Sequence, residues 1–352
     1  MPPIKTALLS FGMSGKLFHA PFIHLHPGFE LAGAWERSKH LIREIYPDVT
    51  SYHSLEAILA DDSIDLVVVN TPTGTHYGYA KQVLQAGKHA IVEKAFTATA
   101  AEAIELKELA AAKNKKLSVF QNRRWDSDFK TIKKILHEGW LGEVVDAEIH
   151  FDRFKPQLSP KQHKEIAGPG SGLLKDLGPH LIDQAICLFG FPEGVFADIR
   201  MLREGSEVDD WFDILLYYPS LRVRLKSSLF VKEALPGYTF HGTKGSFIKG
   251  RTDIQENDLL AGKIPNTIDW GTEPALEEGL LHTEKDGKLI REKIKSLQGN
   301  YYGYYDEVYN AITTDGPMPV TAEEGIQVMQ IIEAAIQSNK EKKVVVPGIQ
   351  FN

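Results

Sequence analysis

The chain has 352 residues, of which 43% are hydrophobic and 25% are charged. At a typical ~150 residues per domain this length predicts about two domains, and the composition excludes a disordered or collagen-like chain. With 40 Lys and Arg residues against 47 Asp and Glu, the formal net charge of −7 offers no basic surface for a nucleic-acid backbone.

The sequence contains one cysteine, Cys187. It cannot form an intrachain disulfide or a thiolate zinc cluster, so we expect a reducing compartment, by default the cytoplasm. Residues 1–10 run into an apolar strand pattern without a charged leader, and no stretch approaches the ~20 apolar residues of a membrane span. Neither a nucleic acid nor a membrane is an expected partner.

Short apolar runs alternate with longer amphipathic stretches over residues 4–121. Runs rich in Val, Ile and Leu are typical of buried parallel strands, and the stretches between them predict helices. The predicted strands cover residues 6–11, 30–35, 66–70, 89–92 and 117–120, and the predicted helices cover 15–25, 39–45, 55–60, 77–86 and 100–113. This alternation indicates a doubly wound parallel sheet with helices on both faces.

The pattern changes after Trp125. A helix is predicted over residues 128–138, followed by strands of alternating polarity over 144–151, 195–201, 211–218 and 221–230. The last two strands are joined by Pro219-Ser220, which is typical of a hairpin and indicates a mainly antiparallel sheet. Residues 250–298 are polar and weakly periodic, and we expect loops and short elements there. The sequence thus predicts an α/β chain with a doubly wound domain over residues 1–121 and an α+β domain over residues 122–352.

The turn Ser10-Phe11-Gly12-Met13-Ser14-Gly15 follows the first strand and precedes the first helix, which is the context of a dinucleotide fingerprint. Gly12 would let the backbone approach a pyrophosphate at the helix N-terminus, and Gly15 would permit close packing of the helix on the strand. Ser10 replaces the first glycine of the pattern, so the turn alone is also compatible with a simple strand-to-helix connection. We expect Phe11, Gly12, Met13 and Gly15 to contact the cofactor.

Glu36 ends the second predicted strand, 21 positions beyond Gly15, where a ribose ligand is expected. A carboxylate there accepts hydrogen bonds from the ribose hydroxyls and repels a 2′-phosphate, which favours NAD. Arg37, followed by Ser38 and Lys39, would do the opposite, so NADP stays open. The alternative for these residues is a solvated charge cluster that caps the following helix.

A second candidate cofactor loop, residues 70–76, follows the strand predicted over 66–70. Ligands in open α/β sheets bind at this edge, so the predicted cofactor contacts here are Thr71, Pro72, Thr73 and His76. A threonine in this loop can also cap the following helix, and the two roles are compatible.

Two further motifs carry a family resemblance, Val92-Glu93-Lys94-Ala95-Phe96-Thr97 and Asp176-Leu177-Gly178-Pro179-His180-Leu181-Ile182-Asp183. With the glycine turn, they resemble the Gfo/Idh/MocA oxidoreductases over essentially the whole chain. Residues 12–21, 122–126 and 151–156 are closer still to the scyllo-inositol dehydrogenase-like branch. The resemblance implies an N-terminal Rossmann domain that binds NAD or NADP, and a C-terminal domain whose large open sheet forms homodimers or homotetramers.

The resemblance maps the catalytic residues onto Lys94, Asp176 and His180, with Glu93 and Asn122 as further cofactor contacts. Oxidation of a secondary alcohol sends a hydride to the nicotinamide and requires a base for the hydroxyl proton, a task that a neutral His180 suits. Asp176 would orient the imidazole if both residues lie on one helix face, and Lys94 would stabilise the developing alkoxide. In isolation, His180 with Asp183 would be a structural pair, and Lys94 would be a surface lysine.

Ala95 follows Lys94 where the family normally has proline. A cis bond to alanine costs roughly 3 kcal/mol more than the trans form. We therefore expect a trans Lys94-Ala95 peptide, with a local backbone adjustment that keeps Lys94 at the site.

Substrate contacts are expected near the boundary between the first and the second domain. Arginines there would hold hydroxyls or a carboxylate, and an aromatic ring would stack on a sugar face. The predicted substrate contacts are Arg123, Trp125, Arg153 and Tyr238. Arg124 paired with Asp126 or Asp128 is the structural alternative. The glycine-containing loop over residues 156–170, with His163 and Lys164, would cover the site, whereas the tyrosines at 301, 302, 304 and 305 would pack at the start of a helix.

These residues predict an NAD(P)-dependent dehydrogenase or reductase for a secondary hydroxyl of a cyclic polyol or sugar, with inositols as the first class to test. Two alternatives stay open: glycoside cleavage assisted by a tightly held NAD, and a non-catalytic dinucleotide-binding regulator. No metal site is expected, because His24 and His26 lack a convergent partner and the chemistry needs none. A serine hydrolase is unsupported, because no nucleophile elbow is present.

Overall fold

The computed structural model describes residues 2–36, 39–159 and 165–348. A first sheet contains β1 (Ile4–Leu8), β2 (Phe29–Trp35), β3 (Thr50–Tyr52), β4 (Leu66–Val69), β5 (His89–Glu93) and β6 (Leu117–Phe120) in the order β3-β2-β1-β4-β5-β6. Its neighbouring strands run parallel, and every residue of β4 and β6 is buried. The strand order reverses between β1 and β4, the position at which open α/β sheets bind ligands. The predicted doubly wound parallel sheet is confirmed.

Helices connect the strands of this sheet. The first connection is a π-helix at Gly15–His19 that continues as α1 (Ala20–Leu25), followed by α2 (Leu41–Ile45), α3 (Leu55–Leu59), α4 (His76–Gln85) and α5 (Ala100–Ala112). Side chains fix where two of them begin, because Ser54 accepts the Ala57 amide and Thr99 forms a capping box with Glu102. The predicted helices agree with these bounds to within two residues.

A second sheet contains β7 (Val144–His150), β8 (Gly194–Arg200), β9 (Trp211–Tyr217), β10 (Arg222–Ser228), β11 (Tyr238–Gly242), β12 (Gly245–Lys249), β13 (Gly279–Lys285) and β14 (Lys288–Ile294). The order is β14-β13-β12-β11-β7-β10-β9-β8. β7 and β10 are parallel, and the other neighbouring pairs are antiparallel. The predicted mainly antiparallel sheet is confirmed, as is the β9–β10 hairpin at Pro219-Ser220.

The remaining helices are α6 (Ser127–His137), α7 (Leu173–Asp176), α8 (Gly178–Phe189), α9 (Gln255–Leu260), α10 (Tyr302–Thr313) and α11 (Ala322–Glu341). None of the helices in the described ranges is both long and apolar enough to cross a membrane.

Five strands in the described ranges were not predicted: β3, β11, β12, β13 and β14. No strand was predicted at β3, because three residues are too short to show a period. Residues 250–298 contain β13 and β14, whose hairpin turns at Asp286 (φ 54°) and Gly287 (φ 71°). An Asp-Gly pair with positive φ at both residues is typical of a two-residue hairpin. β14 is an edge strand with mostly exposed residues, so its polar sequence concealed the strand.

Contacts between residues divide the chain into two compact units. The first comprises Met1–Asn122, Gln255–Trp270 and Asn300–Ile326, and the second comprises Arg123–Ile254, Gly271–Gly299 and Gln327–Asn352. In the first unit Tyr301, Tyr304 and Tyr305 are fully buried at the start of α10. The ring of Tyr305 stacks on Phe22 with centroids 5.9 Å apart. The predicted packing of these tyrosines is confirmed.

Candidate functional site

The turn between β1 and the π-helix is held by its own hydrogen bonds. Ser10 Oγ accepts the Gly12 amide at 3.1 Å, and Asn70 Nδ2, at the end of β4, donates to the Ser10 carbonyl at 2.7 Å. A Cβ on Gly15 would lie 2.2 Å from that carbonyl oxygen, so any side chain there would clash with the backbone. The close helix-on-strand packing predicted for Gly15 is confirmed.

The outer side of the same turn has room for a ligand. Gly12 is exposed, and a Cβ there would meet no atom closer than Ser10 Oγ at 3.4 Å. Met13 is also exposed, whereas Phe11 is buried. Within the described residues Asn70 Oδ1 is buried and has no hydrogen-bond partner. This combination of an open glycine backbone and a buried unsatisfied acceptor fits a dinucleotide at the turn.

Glu36 binds the protein's own backbone. Its two carboxylate oxygens accept the amides of Leu41 at 2.8 Å and Ile42 at 3.1 Å, and Ser51 Oγ donates to it at 3.2 Å. The residue is only 7% exposed. The carboxylate thus satisfies two otherwise unpaired amides at the start of α2, and the ribose contact of Glu36 stays a prediction. Arg37 lies outside the described residues.

The loop between β4 and α4 contains the predicted contacts Thr71, Pro72, Thr73 and His76. Thr71 Oγ1 lies 2.7 Å from Thr75 Oγ1, which donates to the Pro72 carbonyl. The His76 ring is 1% exposed, with Nδ1 2.9 Å from the Ala95 carbonyl and Nε2 2.7 Å from the Thr71 carbonyl. Burial lowers the pKa of His76, and the two carbonyls oppose that shift. The prediction of His76 as a cofactor contact is contradicted for its ring, because both nitrogens already face backbone oxygens.

Glu93 and Lys94 end β5. The Glu93 carboxylate is buried and accepts hydrogen bonds from Ser14 Oγ and from the Lys94 amide, the latter at 3.2 Å. His19 Nε2 lies 3.1 Å from Glu93 Oε1. Burial opposes the charge on Glu93, but the contacts with His19 and Ser14 outweigh it, so the pKa of Glu93 lies below its usual range. Its carboxylate is therefore engaged within the fold.

The Lys94-Ala95 peptide bond is cis. The prediction of a trans bond, made because alanine replaces the family's proline, is wrong. Ala95 is buried, and its carbonyl faces His76.

In the second unit, Asp176 and His180 lie on consecutive helices. α7 ends at Asp176, and α8 begins at Gly178 after the single residue Leu177. Asp209 fixes the start of α7, because its side chain accepts the Leu174 amide at 2.6 Å. The Asp176 side chain is 47% exposed, with Arg153 Nη1 3.9 Å away, whereas His180 is 5% exposed. The condition set for this pair, that both residues lie on one helix, is not met, since α7 and α8 are separate.

Arg123, Arg124 and Trp125 form a short 3-10 turn before α6. Arg124 pairs with Asp183, and Arg123 Nη1 lies 3.5 Å from Asp126. Arg123 also lies over the Phe151 ring, 5.7 Å from its centroid, as does Arg153 at 5.3 Å. Two of the predicted substrate contacts thus meet on one aromatic ring of the second unit.

Comparisons with known proteins agree with this architecture. Residues 4–121 match the oxidoreductase family's NAD-binding Rossmann fold, and residues 133–347 match its C-terminal alpha/beta domain. The chain is 39% identical over 342 residues to the scyllo-inositol 2-dehydrogenase (NADP(+)) IolW of Bacillus subtilis (strain 168), which covers 97% of this chain and 95% of IolW. It is 41% identical over 339 residues to the uncharacterized oxidoreductase YdgJ of Escherichia coli (strain K12), covering 96% and 97% of the two chains.

A crystal structure of an oxidoreductase from Bacteroides fragilis superposes with a TM-score of 0.90 at 46% identity, covering 98% of this chain and 99% of that one. The chain belongs to the Gfo/Idh/MocA oxidoreductase family. The predicted NAD(P)-dependent oxidoreductase is confirmed at that level.

Tyr238, a predicted substrate contact of this Gfo/Idh/MocA protein, lies in the core. Tyr238 is 0% exposed, and its hydroxyl lies 3.1 Å from Asp128 Oδ1 and 3.2 Å from Gln184 Oε1. The prediction that Tyr238 lines the substrate site is wrong, because its β11 position faces the core. Burial raises the pKa of Tyr238 well above its usual value, so the phenol stays protonated as a hydrogen-bond donor.

Sequence reasoning missed Arg251 in this Gfo/Idh/MocA protein. Its guanidinium lies 4.6 Å from the ring centroid of Phe151 and 4.5 Å from that of Tyr238, and Nη2 donates to Gln184. Nη1 is buried without a hydrogen-bond partner among the described residues. The signal was weak, because Arg251 stands in the polar stretch in which no strands were expected.

Asn122 and Trp125 are two further predicted site residues. Asn122 is buried, and Trp125 is half-buried. His163 and Lys164 of the predicted covering loop lie outside the described residues. In the ranges that the structure describes, no group of three or more His, Cys, Asp or Glu side chains is arranged to hold a metal ion.

Proposed function

We propose that this protein is an NADP-preferring dehydrogenase or reductase that interconverts a secondary hydroxyl and a ketone on a cyclic polyol, with inositols as the first substrate class. The observation that carries the proposal is the chain-long similarity to a scyllo-inositol 2-dehydrogenase (NADP(+)). The buried imidazole of His180 in the first turn of α8 supplies a group suited to the proton transfer.

The preference for NADP rests on Glu36. A free carboxylate after β2 would repel a 2′-phosphate, but both oxygens of Glu36 are bonded to the start of α2. Because these two amides take up the charge of Glu36, we propose that the carboxylate does not exclude a 2′-phosphate. The exposed Lys39 and the neighbouring Arg37 would then supply positive charge for the phosphate.

The proposed mechanism assigns one task to each side chain. When bound, a nicotinamide dinucleotide supplies the hydride acceptor or donor. His180 removes the proton from the substrate hydroxyl during oxidation and returns it during reduction. Asp176 stabilises the imidazolium that results, because Asp183, the nearer acid along α8, is bound to Arg124. The Lys94 ammonium stabilises negative charge on the substrate oxygen.

The polyol itself requires several hydrogen-bond donors. Arg123 and Arg153 have their guanidinium groups against Phe151, which fixes the charged planes in place. We propose that they donate to substrate hydroxyls that do not react, with Trp125 against the apolar face of the ring. Gly12, Met13 and Asn70 would hold the dinucleotide, and Thr71, Thr73 and Asn122 remain proposed contacts.

An initial-rate screen tests this proposal. The purified protein is assayed with NADP+ and with NAD+ against scyllo-inositol, myo-inositol and a panel of aldoses, by absorbance of the reduced nicotinamide. We expect turnover of an inositol with a higher kcat/KM for NADP+. A higher kcat/KM for NAD+ would overturn the cofactor preference. Tight NADP+ binding with no turnover of any substrate would overturn the proposed dehydrogenase activity. It would favour a glycoside-cleaving activity or a regulatory role.

A further inference from the structure

The Lys94 backbone is held on both sides by buried titratable side chains. On one side Glu93 Oε2 accepts the Lys94 amide at 3.2 Å. On the other side His76 Nδ1 lies 2.9 Å from the carbonyl of Ala95, the next residue. The position from which the lysine side chain projects therefore depends on Glu93 and His76.

The Glu93 contacts extend to the glycine turn. Glu93 Oε1 accepts from Ser14 Oγ and lies 3.1 Å from His19 Nε2, in the π-helix that follows the turn. His19 Nδ1 lies 2.7 Å from the Tyr305 hydroxyl, which also donates to the Phe18 carbonyl at 3.1 Å. Charge-assisted bonds of this kind, away from water, are stronger than neutral ones. Glu93 thus links Lys94 rigidly to the turn that fits the pyrophosphate.

The His76 contacts extend to the second cofactor loop. While Nδ1 faces the Ala95 carbonyl, Nε2 lies 2.7 Å from the Thr71 carbonyl at the end of β4. Burial lowers the pKa of His76, against the opposing effect of the two carbonyls and of the Glu93 charge. The neutral ring carries one N–H, so it donates to one of the two carbonyls at a time.

We propose that Glu93 and His76 are positioning residues that transmit dinucleotide binding from the two cofactor loops to the Lys94 ammonium. Glu93 joins Lys94 to Ser14, and His76 joins Ala95 to Thr71. A dinucleotide that shifts either loop therefore also shifts the Lys94 backbone, so binding at the loops adjusts the position of the ammonium. This inference rests on the proposed role of Lys94 and gives Glu93 and His76 a task other than direct cofactor contact.

A spectroscopic experiment measures this coupling without a substrate. The lysines of the whole protein are reductively ¹³C-methylated, and the Lys94 resonance is assigned as the one missing in Lys94→Arg. We expect NADP+ to shift that resonance in the wild type, and to shift it by less than half as much in Glu93→Gln, in His76→Gln and in Ser14→Ala. Binding of NADP+ by each variant is measured by calorimetry, so that every comparison is made at saturation.

Glu102→Gln is the matched control. Like Glu93, Glu102 accepts hydrogen bonds from nearby backbone, in its case the amides of Ala98 at 2.9 Å and Thr99 at 3.2 Å. It shares the substitution with Glu93→Gln but does not contact Lys94, so we expect the full Lys94 shift. An undiminished NADP+-induced shift of the Lys94 resonance in folded Glu93→Gln and Ser14→Ala would overturn the proposal. If Glu93→Gln does not fold, the shift in Ser14→Ala decides the question.

A double-mutant cycle with NADP+ and scyllo-inositol separates this inference from the proposed function. We expect Glu93→Gln to lower kcat by about 10²-fold, the loss typical of a misplaced catalytic group. Combined with Lys94→Ala, it should cost little beyond the loss from Lys94→Ala alone. Multiplicative losses would show that Glu93 acts independently of Lys94 and overturn the inference. A wild-type kcat in Lys94→Ala would instead overturn the proposed role of the lysine.

Discussion

Arg124 donates two parallel hydrogen bonds to the Asp183 carboxylate, from Nε at 2.8 Å and from Nη2 at 2.7 Å. Both side chains are almost fully buried. Asp183 lies three residues after His180 on α8, so this pair also fixes the helix that presents the proposed base. Asp183, the acid nearest to His180 along α8, therefore has a structural role.

Removing Arg124 should destabilise the protein strongly. Arg124→Ala removes the guanidinium that faces the buried Asp183 carboxylate, which costs about 3–5 kcal/mol of unfolding free energy. Urea unfolding checks this value. The double variant Arg124→Leu with Asp183→Leu should recover most of the loss, because an apolar pair leaves no buried charge. A single-variant loss below about 1 kcal/mol would contradict the assignment.

Glu36→Gln should lower stability without changing cofactor choice. The substitution removes the charge that the α2 amides of Leu41 and Ile42 bind, which costs about 1–2 kcal/mol. The ratio of kcat/KM for NADP+ and NAD+ should stay within about twofold of the wild type, whereas Arg37→Ala should shift it toward NAD+. A large rise of the ratio in Glu36→Gln would show instead that the carboxylate meets the ribose.

The two glycines of the turn should respond differently to alanine. Gly15→Ala places a Cβ 2.2 Å from the Ser10 carbonyl oxygen, so the melting temperature should fall and NADP+ binding should be lost. Gly12→Ala meets only Ser10 Oγ at 3.4 Å, so the fold should persist while the Kd for NADP+ rises by about tenfold or more. Calorimetry of both variants distinguishes these outcomes, and unchanged NADP+ affinity in Gly12→Ala would place the pyrophosphate elsewhere.

His180→Ala should lower kcat by about 10²–10⁴-fold with little change in the Kd for NADP+, because it removes the proposed base and not a cofactor contact. His241→Ala is the control in the same unit. His241 lies on β11, and its Nδ1 is 2.7 Å from Ser246 Oγ, so its loss should leave kcat near the wild-type value. Wild-type turnover in His180→Ala would remove this residue from the mechanism.

Stability should depend on pH through His150. Burial lowers the pKa of His150, but Asp152 at 3.4 Å and Glu148 at 3.2 Å outweigh it, so the folded pKa is raised. The stabilisation from this charged ring is complete below the unfolded value of about 6.5 and disappears as the pH rises through the folded pKa. His150→Gln should therefore lower the unfolding free energy more at about pH 5.5 than at about pH 9. An equal loss at both pH values would contradict a charged His150.

The sequence predicted the strands and helices that have a local pattern. It did not predict which polar side chains are bonded within the fold, because that depends on tertiary packing. The buried strands β4 to β6 and the capped helix α5 follow from runs of adjacent residues, and the structure confirms them. The carboxylate of Glu36 binds the α2 amides five and six residues further along the chain. The Tyr238 hydroxyl is instead bonded in the core to Asp128, 110 residues away. Both residues have side chains suited to a ligand contact and stand at suitable sequence positions. Their polar atoms are nevertheless bonded within the fold, which depends on the tertiary structure.

The discontinuity of the first unit has a consequence for synthesis on the ribosome. Its first 122 residues end at Asn122, yet its core also needs Tyr304, whose hydroxyl donates to Ser118 at 2.9 Å, and Gly325, which lies against Val119. At about 5–20 residues per second, the chain from residue 122 to residue 326 takes roughly 10–40 s to emerge. During that interval the nascent nucleotide-binding half is unfinished, with the face of β6 that the tyrosines later cover open to solvent and to chaperones.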